Sequence, residues 1–261
     1  MRVFDFNAAI ARRPARTVVN GLRAHGGAGP SFHGVAAEHA AYVAALEACG
    51  IAVTVLEALE EFPDSIFVED PALVFSEAAV LLRPGAPSRL GEAQALAPVL
   101  EARFPKLLRL HSGHADGGDI LVTPECVFIG LSARTDQAGA ATLQSLLAAI
   151  GRESRVVDTP RSTLHLKSDC SLVDEETLLV TQELADSGLF RGFRLLVAPQ
   201  AERVATNALR LNDIVLVRDD CPRTADLLRG QGLEVLPLAV SEITRIDAGL
   251  SCMSLRWFDR G

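Results

Sequence analysis

The sequence predicts an α/β ring built from five pseudo-symmetric ββαβ units. Three observations carry the prediction. First, five stretches repeat one pattern: a strand-like run, a turn, a second strand-like run, then a helical or loop return. They begin near Phe67, Gly117, His165, Asn207 and Ser251, at intervals of 50, 48, 42 and 44 residues, and self-similarity at such a period signals a repeat architecture. Second, segments with helical spacing follow the strand pairs, and a short strand follows most of them. Third, the N-terminal segment supplies a strand, a helix and a strand, whereas the fifth repeat stops after its first strand. The two fragments complete one unit if the termini meet. A solenoid would instead carry capped terminal repeats. An ordinary two-layer α/β domain whose strand pairs only look periodic is the plainer alternative.

The elements follow in order. Arg2–Phe6 (RVFDF) alternates and reads as the first strand, extending toward Ile10. Gly21, Gly26, Gly27 and Gly29 crowd the stretch Gly21–Ser31, and that density predicts a mobile loop. A helix is expected over His33–Glu47, where Val35, Ala36, Ala40, Val43, Ala44 and Leu46 recur near a 3.6 period. Gly50 is placed to cap it, and Ile51–Leu56 reads as a strand. Further helices are expected at Leu90–Arg103, Asp136–Ile150, Glu183–Leu189 and Thr224–Gln231, with short strands at Leu107–Leu110, Ser154–Val157 and Glu234–Leu236. No linker or low-complexity stretch divides the chain, so residues 1–261 are expected to form one domain.

Composition bounds the function. With 49% hydrophobic and 22% charged residues, the chain is globular with ample core. A net charge of −8 gives no electrostatic help toward phosphates, which argues against nucleic acid as a partner. Apolar runs such as AAVLL at 78–82 are far too short for a membrane span. The first residues carry Asp5 and no sustained apolar stretch, unlike a secretory signal. Five cysteines, odd in number and without a CxxC, imply neither a disulfide framework nor a zinc site and point to a reducing cytoplasm. Oligomeric state is not legible.

The opening of each repeat holds the reactive groups: Glu69 with Asp70, Asp119 with Asp116 just before it, His165, Asn207 and Cys252. A closed ring would bring carboxylates, an imidazole and a thiol to one axis. Alone, Cys252 reads as a small buried hydrophobe, and as a nucleophile only in the company of a cation or imidazolium. His165 lies at the equivalent point of another repeat and could serve as general acid and base. Leu164 and Leu166 flank it, so on a strand it shares a polar face with Lys167. Asp116 opens a strand in the run Asp-Gly-Gly-Asp, whose glycines permit close approach of a ligand. Acids gathered on one axis repel unless a cation sits among them, either a metal or a guanidinium. One His and one Cys fit a hard-metal site poorly, so no metal is expected. Arg89 and Arg134 each follow the second strand of a repeat and could together clamp a carboxylate. Asn207 is expected to satisfy backbone groups where strands converge.

Taken together, RxPARxxxxGL (Arg12–Leu22), FPDSIFVEDP (Phe62–Pro71), RPGAPSR (Arg83–Arg89), DGGD (Asp116–Asp119), GLSART (Gly130–Thr135), LHLKS (Leu164–Ser168), ATN (Ala205–Asn207) and SCMSL (Ser251–Leu255) resemble the dimethylarginine dimethylaminohydrolase family of the guanidino-modifying pentein superfamily. The resemblance runs over nearly the whole chain and implies a five-bladed α/β propeller, one blade split across the termini. It implies hydrolysis of Nω-methylated arginines to citrulline and methylamines through a covalent thiouronium, without a cofactor. Cys252 would be the nucleophile, His165 the general acid and base, and Asp116 its orienting acid. Glu69 and Asp70 would hold the guanidinium. Asp64 and the backbone around Leu22 would receive the α-amino group, Arg89 and Arg134 the α-carboxylate, and Phe67 would line the pocket. The glycine-rich loop after Leu22 would be a lid.

Arginine deiminases, which share the fold, carry an acid two residues after the histidine; here that residue is Lys167, which disfavours their mode of binding. The alternative is a related pentein hydrolase acting on citrulline or another substituted arginine. A binding protein of the same fold, like the ribosome anti-association factors, would lack the Cys-His-acid set.

Overall fold

The computed structural model describes residues 1–23, 28–160 and 162–261. Among these, fifteen strands form five three-stranded sheets. The split blade contains β1 (Ala8–Arg12), β2 (Ala52–Leu56) and β15 (Ser254–Trp257). The next holds β3 (Ala72–Val74), β4 (Ala79–Leu81) and β5 (Leu107–Arg109), followed by β6 (Ile120–Val122), β7 (Val127–Leu131) and β8 (Ser154–Asp158). The last two contain β9 (Cys170–Leu172), β10 (Thr177–Val180) and β11 (Arg194–Val197), then β12 (Leu209–Leu211), β13 (Ile214–Arg218) and β14 (Glu234–Leu238).

In every blade the middle strand runs antiparallel to the inner one and parallel to the outer one. A parallel pair needs a crossover, and a helix supplies it each time: α1 (Phe32–Ala48), α2 (Glu92–Arg103), α3 (Gln137–Ala148), α4 (Gln182–Asp186) and α5 (Pro222–Arg229). This is the expected five-bladed α/β propeller. β1 closes the ring by pairing Ala8 with Trp257 and Ala11 with Ser254.

Local chemistry sets the helix limits. Ser31, Asp136 and Thr181 cap α1, α3 and α4 by accepting the backbone N–H three residues on, at 3.0, 2.7 and 3.3 Å. Pro222 opens α5, and Glu202 from the preceding segment accepts its Arg223 and Thr224 amides. Gly50 leaves α1 with φ +81°, a left-handed conformation that glycine adopts at no steric cost.

Middle strands such as β4 and β10 are buried at every position; in β4, Leu81 packs with α2 and the split blade on one face, and Val80 with α3 and the blade of β6 and β7 on the other. Between blades the core divides into discrete apolar clusters. One joins Ile10, Leu255 and Trp257 of the split blade to Leu81 and to Leu96 and Leu100 of α2. Each such side chain contributes roughly 1.5–3 kcal/mol by burial, and Leu100→Ala would cost about 2–5 kcal/mol.

The strand expected over Arg2–Phe6 is instead a turn, and β1 begins at Ala8. Asp5 accepts the Arg2 amide at 2.7 Å and returns its own N–H to the Arg2 carbonyl at 3.2 Å. This local closure outcompetes a ladder. Among the described residues, no helix is long and apolar enough to cross a membrane.

Candidate active site

The reactive side chains do not sit on strands. Each lies in the tight turn before a blade's inner strand, and those turns converge at the axis. His165 precedes the 3-10 turn Leu166–Ser168, Asp116 precedes Gly117–Asp119, and Cys252 lies within Leu250–Met253. The expected alternation of His165 and Lys167 on one strand face therefore fails, since a 3-10 turn has a period of three. Nor does Asp116 open a strand. The polar residues of these turns are buried where the blades meet, so each needs a partner.

His165 Nε2 lies 3.0 Å from Asp116 Oδ2. Asp116 is wholly buried, and its other oxygen accepts the Gly85 amide at 2.7 Å. Burial alone would lower the His165 pKa; the Asp116 hydrogen bond and the charges of Asp70, Asp119 and Asp116 overcome it and raise it to about 9. At neutral pH the ring is an imidazolium. Gly118 lies under it, where a Cβ would come within 2.7 Å of the ring. Asp119 fixes the same turn by accepting the Leu166 amide at 2.9 Å and the hydroxyls of Ser132 and Thr135 at 2.6 and 2.7 Å.

Cys252 and His165 line one cavity of about 340 Å³. Burial, then the charges of Glu69 and Asp70, push the thiol up to about 12, against the Gly249 amide and Lys167, which favour the thiolate. The site thus pairs a charged imidazolium with a neutral thiol.

The cation expected among the acids is supplied by the chain itself. Arg89 is 4% exposed. Its Nη1 lies 2.5 Å from Asp70 Oδ2, its Nη2 lies 2.7 Å from Glu92 Oε2, and Nη2 also donates to the carbonyls of Phe67 and Asp64 at 3.0 and 3.3 Å. Arg89 and Arg134, expected as a pair at a carboxylate, have different surroundings. Arg89 is spent on protein acceptors, whereas Arg134 is half-buried and has no side-chain ion pair among the described residues. Burial pushes Glu92 up to about 7 although Arg89 pulls it down.

Asp70 keeps a net lowered pKa despite its burial, through Arg89 and His165. Its Oδ1 accepts the Gly118 amide at 3.0 Å. A carboxylate has lone pairs for about four donors, so room remains for a guanidinium. Asp70, Asp116 and His165 offer ligand atoms within 4.8 Å of one another, a set of one imidazole and two carboxylates.

Glu69, expected beside Asp70 at the guanidinium, already has partners within the protein. Lys167 Nζ lies 2.5 Å from its Oε1 and Arg256 Nη2 3.3 Å, while Ser251 donates to Oε2 at 2.9 Å. It is a junction within the protein and not a free acid. A second cavity, of about 400 Å³, shares Lys167, Asn207 and Ser251 with the first.

Asp64 accepts the Leu22 amide at 3.0 Å, and burial raises its pKa. Leu22 is 36% exposed beside it. Phe67 is buried in the core with Ile66, only its carbonyl engaging Arg89. Of the expected lid, residues 24–27, including Gly26 and Gly27, lie outside the described residues. Sequence reasoning missed Glu92, which reads as an ordinary first-turn acid of α2. It also missed the Gly118 and Gly249 contacts, which no residue type announces.

Comparison with known proteins fits this geometry. A family profile described as N,N dimethylarginine dimethylhydrolase, eukaryotic, matches residues 32–188. The N(G),N(G)-dimethylarginine dimethylaminohydrolase of Pseudomonas aeruginosa is 35% identical over 254 residues, covering 97% of this chain and 100% of the relative. The chain belongs to the dimethylarginine dimethylaminohydrolase family. Its Streptomyces coelicolor relative of the same name is 33% identical over 253 residues, with 95% and 96% of the two chains covered. Among solved structures, a cysteine-to-serine variant of the P. aeruginosa dimethylarginine dimethylaminohydrolase, complexed with citrulline, superposes with a TM-score of 0.93, 35% identity and coverage of 97% and 100%. The N-terminal domain of a cyanobacterial arginine dihydrolase shares the fold, with a TM-score of 0.83 at 16% identity over 95% of this chain and 96% of that one. With membership of the dimethylarginine dimethylaminohydrolase family comes the reaction class: this is a hydrolase acting on the C–N bonds of linear amidines.

Proposed function

We propose that residues 1–261 act as one catalytic domain that hydrolyses Nω-methylated L-arginines, asymmetric dimethylarginine and monomethylarginine, to L-citrulline and a methylamine. The observation that carries the mechanism is that Cys252 and His165 line one cavity, with His165 Nε2 3.0 Å from the buried Asp116. His165, held near 9, is charged and ready to donate; Cys252, held near 12, is neutral until something favours its thiolate.

A bound guanidinium supplies that cation. Asp70 accepts its N–H groups, Asp64 and the Leu22 backbone receive the α-amino group, Arg134 takes the α-carboxylate, and Phe67 borders the pocket through its backbone. The positive charge next to Sγ opposes the fields of Glu69 and Asp70, so the thiol loses its proton to solvent. The thiolate attacks the guanidinium carbon. His165 passes its proton to the departing methylamine as the C–N bond breaks, which leaves a thiouronium on Cys252 and a neutral imidazole oriented by Asp116. That imidazole then takes a proton from water and the resulting hydroxide adds to the same carbon; the adduct's hydroxyl proton passes to solvent as the C–S bond breaks, giving citrulline and a thiolate that regains its proton once the substrate cation is gone.

Lys167, 2.5 Å from Glu69, puts a cation where a deiminase needs an acid, which favours substituted guanidinium over arginine. The five free cysteines suit a reducing cytoplasm.

The test is product analysis with asymmetric dimethylarginine, monomethylarginine, arginine and citrulline as substrates. Citrulline with stoichiometric methylamine is expected from the first two, and acid quenching should trap a Cys252 adduct that Cys252→Ser lacks. Faster ammonia release from arginine or citrulline would sink this substrate assignment. Full turnover by Cys252→Ser would remove Cys252 from the chemistry.

A further inference from the structure

We infer that Asn207 is a positioning residue for the nucleophile: it holds the turn 249–252 and so sets where Cys252 Sγ stands among its charged neighbours. The inference rests on the reading of Cys252 as nucleophile.

Asn207 follows the segment Gln200–Thr206 and stands before β12, at the point of its blade where other blades carry His165 and Cys252. It touches neither the imidazole nor the acids that surround it. Every polar atom of its side chain goes to the two neighbouring blades. Nδ2 donates to the Lys167 carbonyl at 2.8 Å and to Ser251 Oγ at 3.2 Å, and Oδ1 accepts the Ser251 amide at 3.0 Å. The side chain also packs flat on Gly249: a Cβ there would lie 2.3 Å from Asn207 Oδ1 and 2.4 Å from Cγ. Gly249 therefore has no Cβ because Asn207 occupies its place.

The turn so gripped is the one that carries the thiol. Gly249 heads the 3-10 turn Leu250–Met253, and its carbonyl accepts the Cys252 amide at 3.3 Å. The Gly249 amide and Lys167 are among the groups that favour the Cys252 thiolate. Lys167 is reached by Asn207 as well, through its carbonyl. On the far side Glu69 completes the clamp: its amide donates to the Cys252 carbonyl at 3.2 Å and its carboxylate accepts the Ser251 hydroxyl at 2.9 Å. Residues 249–252 are thus pinned from both sides, and Asn207 bridges the nucleophile's turn to the backbone of the turn that follows His165. A thiol beside Glu69 and Asp70 ionises against their charges, so a shift of its turn relative to the groups that favour the thiolate matters.

The test reads thiolate chemistry and not turnover. Iodoacetamide alkylation of Cys252, followed by peptide mapping at pH 8 to 10, reports the thiolate fraction, with half-buried Cys49 as internal reference. Asn207→Ala is expected to slow Cys252 about threefold to tenfold, the range for losing one hydrogen bond that holds its turn, with Cys49 unchanged. Gly249→Ala, which displaces the same turn from the other side, should slow it similarly. Asn212→Ala removes a structural asparagine whose side chain bonds the Phe6 amide and the Cys49 carbonyl. It should lower stability and leave the Cys252 rate alone. An unchanged or faster rate in folded Asn207→Ala, or equal slowing in Asn212→Ala, overturns the assignment. If Asn207→Ala does not fold, the Gly249→Ala rate decides alone. Absence of citrulline formation by the wild type would refute the proposed substrate without touching this result.

Discussion

Replacing Asp116 by Asn removes one charge and keeps the shape. The Gly85 amide still finds an oxygen, but the new NH2 group faces His165 Nε2 and demands an acceptor there, so the ring is pushed toward its neutral form. His165 stands at about 9 against 6.5 for the free side chain. That gap is worth about 3 kcal/mol in favour of the imidazolium, shared among Asp116, Asp70 and Asp119. The Asp116 hydrogen bond is the largest of the raising influences, so the variant should lose at least about one unit.

The sign for stability follows from linkage. A histidine whose folded pKa exceeds its unfolded value adds stability that is fully present below pH 6.5 and is lost as pH rises through about 9. Asp116→Asn should therefore unfold at lower urea than wild type at pH 6, by about 1–3 kcal/mol, and the difference should close by pH 10. In turnover, the alkaline limb of kcat should move down by the same unit or more, and kcat at pH 7.5 should fall on the order of a hundredfold, as expected for a compromised general acid. An alkaline limb that stays in place, with a stability loss independent of pH, would refute the reasoning.

Arg89→Met should cost about 3–5 kcal/mol in urea unfolding, because it leaves Asp70 and Glu92 buried without their cation; unchanged stability with a raised KM would instead make Arg89 a substrate clamp. Arg134→Ala should raise KM tenfold or more with kcat nearly intact, the mark of lost ground-state binding, and a fall in kcat alone would contradict its placement at the carboxylate. Gly118→Ala puts a methyl within 2.7 Å of the His165 ring, and kcat should drop on the order of a hundredfold while far-UV circular dichroism stays native; wild-type kcat would show that the ring has room to yield.

Much of the architecture was written in periodicity. Helix α1, expected over His33–Glu47, spans Phe32–Ala48, and the closing of the split blade followed from counting strands at each end. What failed was local. Arg2–Phe6 alternates like a strand, yet Asp5 closes on Arg2 within three residues, and alternation cannot reveal that competition. His165 and Lys167 also look like strand partners, whereas the chain tightens into a 3-10 turn there to reach the axis.

At the site, residue types announced candidates but not their commitments. Arg89 and Arg134 look alike in sequence; only depth separates them, since Glu92 lies one turn beyond Arg89 and draws its guanidinium inward. Glu69 and Asp70 are adjacent, yet one faces Lys167 and the other Arg89 and Gly118. Asn207 was expected to satisfy backbone groups between strands, and it does so, on the Lys167 carbonyl and the Ser251 amide.

The pairing of β1 with β15 has a kinetic meaning. Ala8 and Trp257 are neighbours in the ladder although nearly the whole chain separates them, so among the strand pairings described this one pays the largest loop-closure entropy. Cys252 stands two residues before β15, at the seam that this contact seals. During refolding, far-UV signal from the four continuous blades should appear before the nucleophile is held in place, and reactivity should track ring closure. A circular permutant opened between two other blades would turn that seam into an ordinary hairpin, and the thiol would then be set early while another blade becomes the last to join.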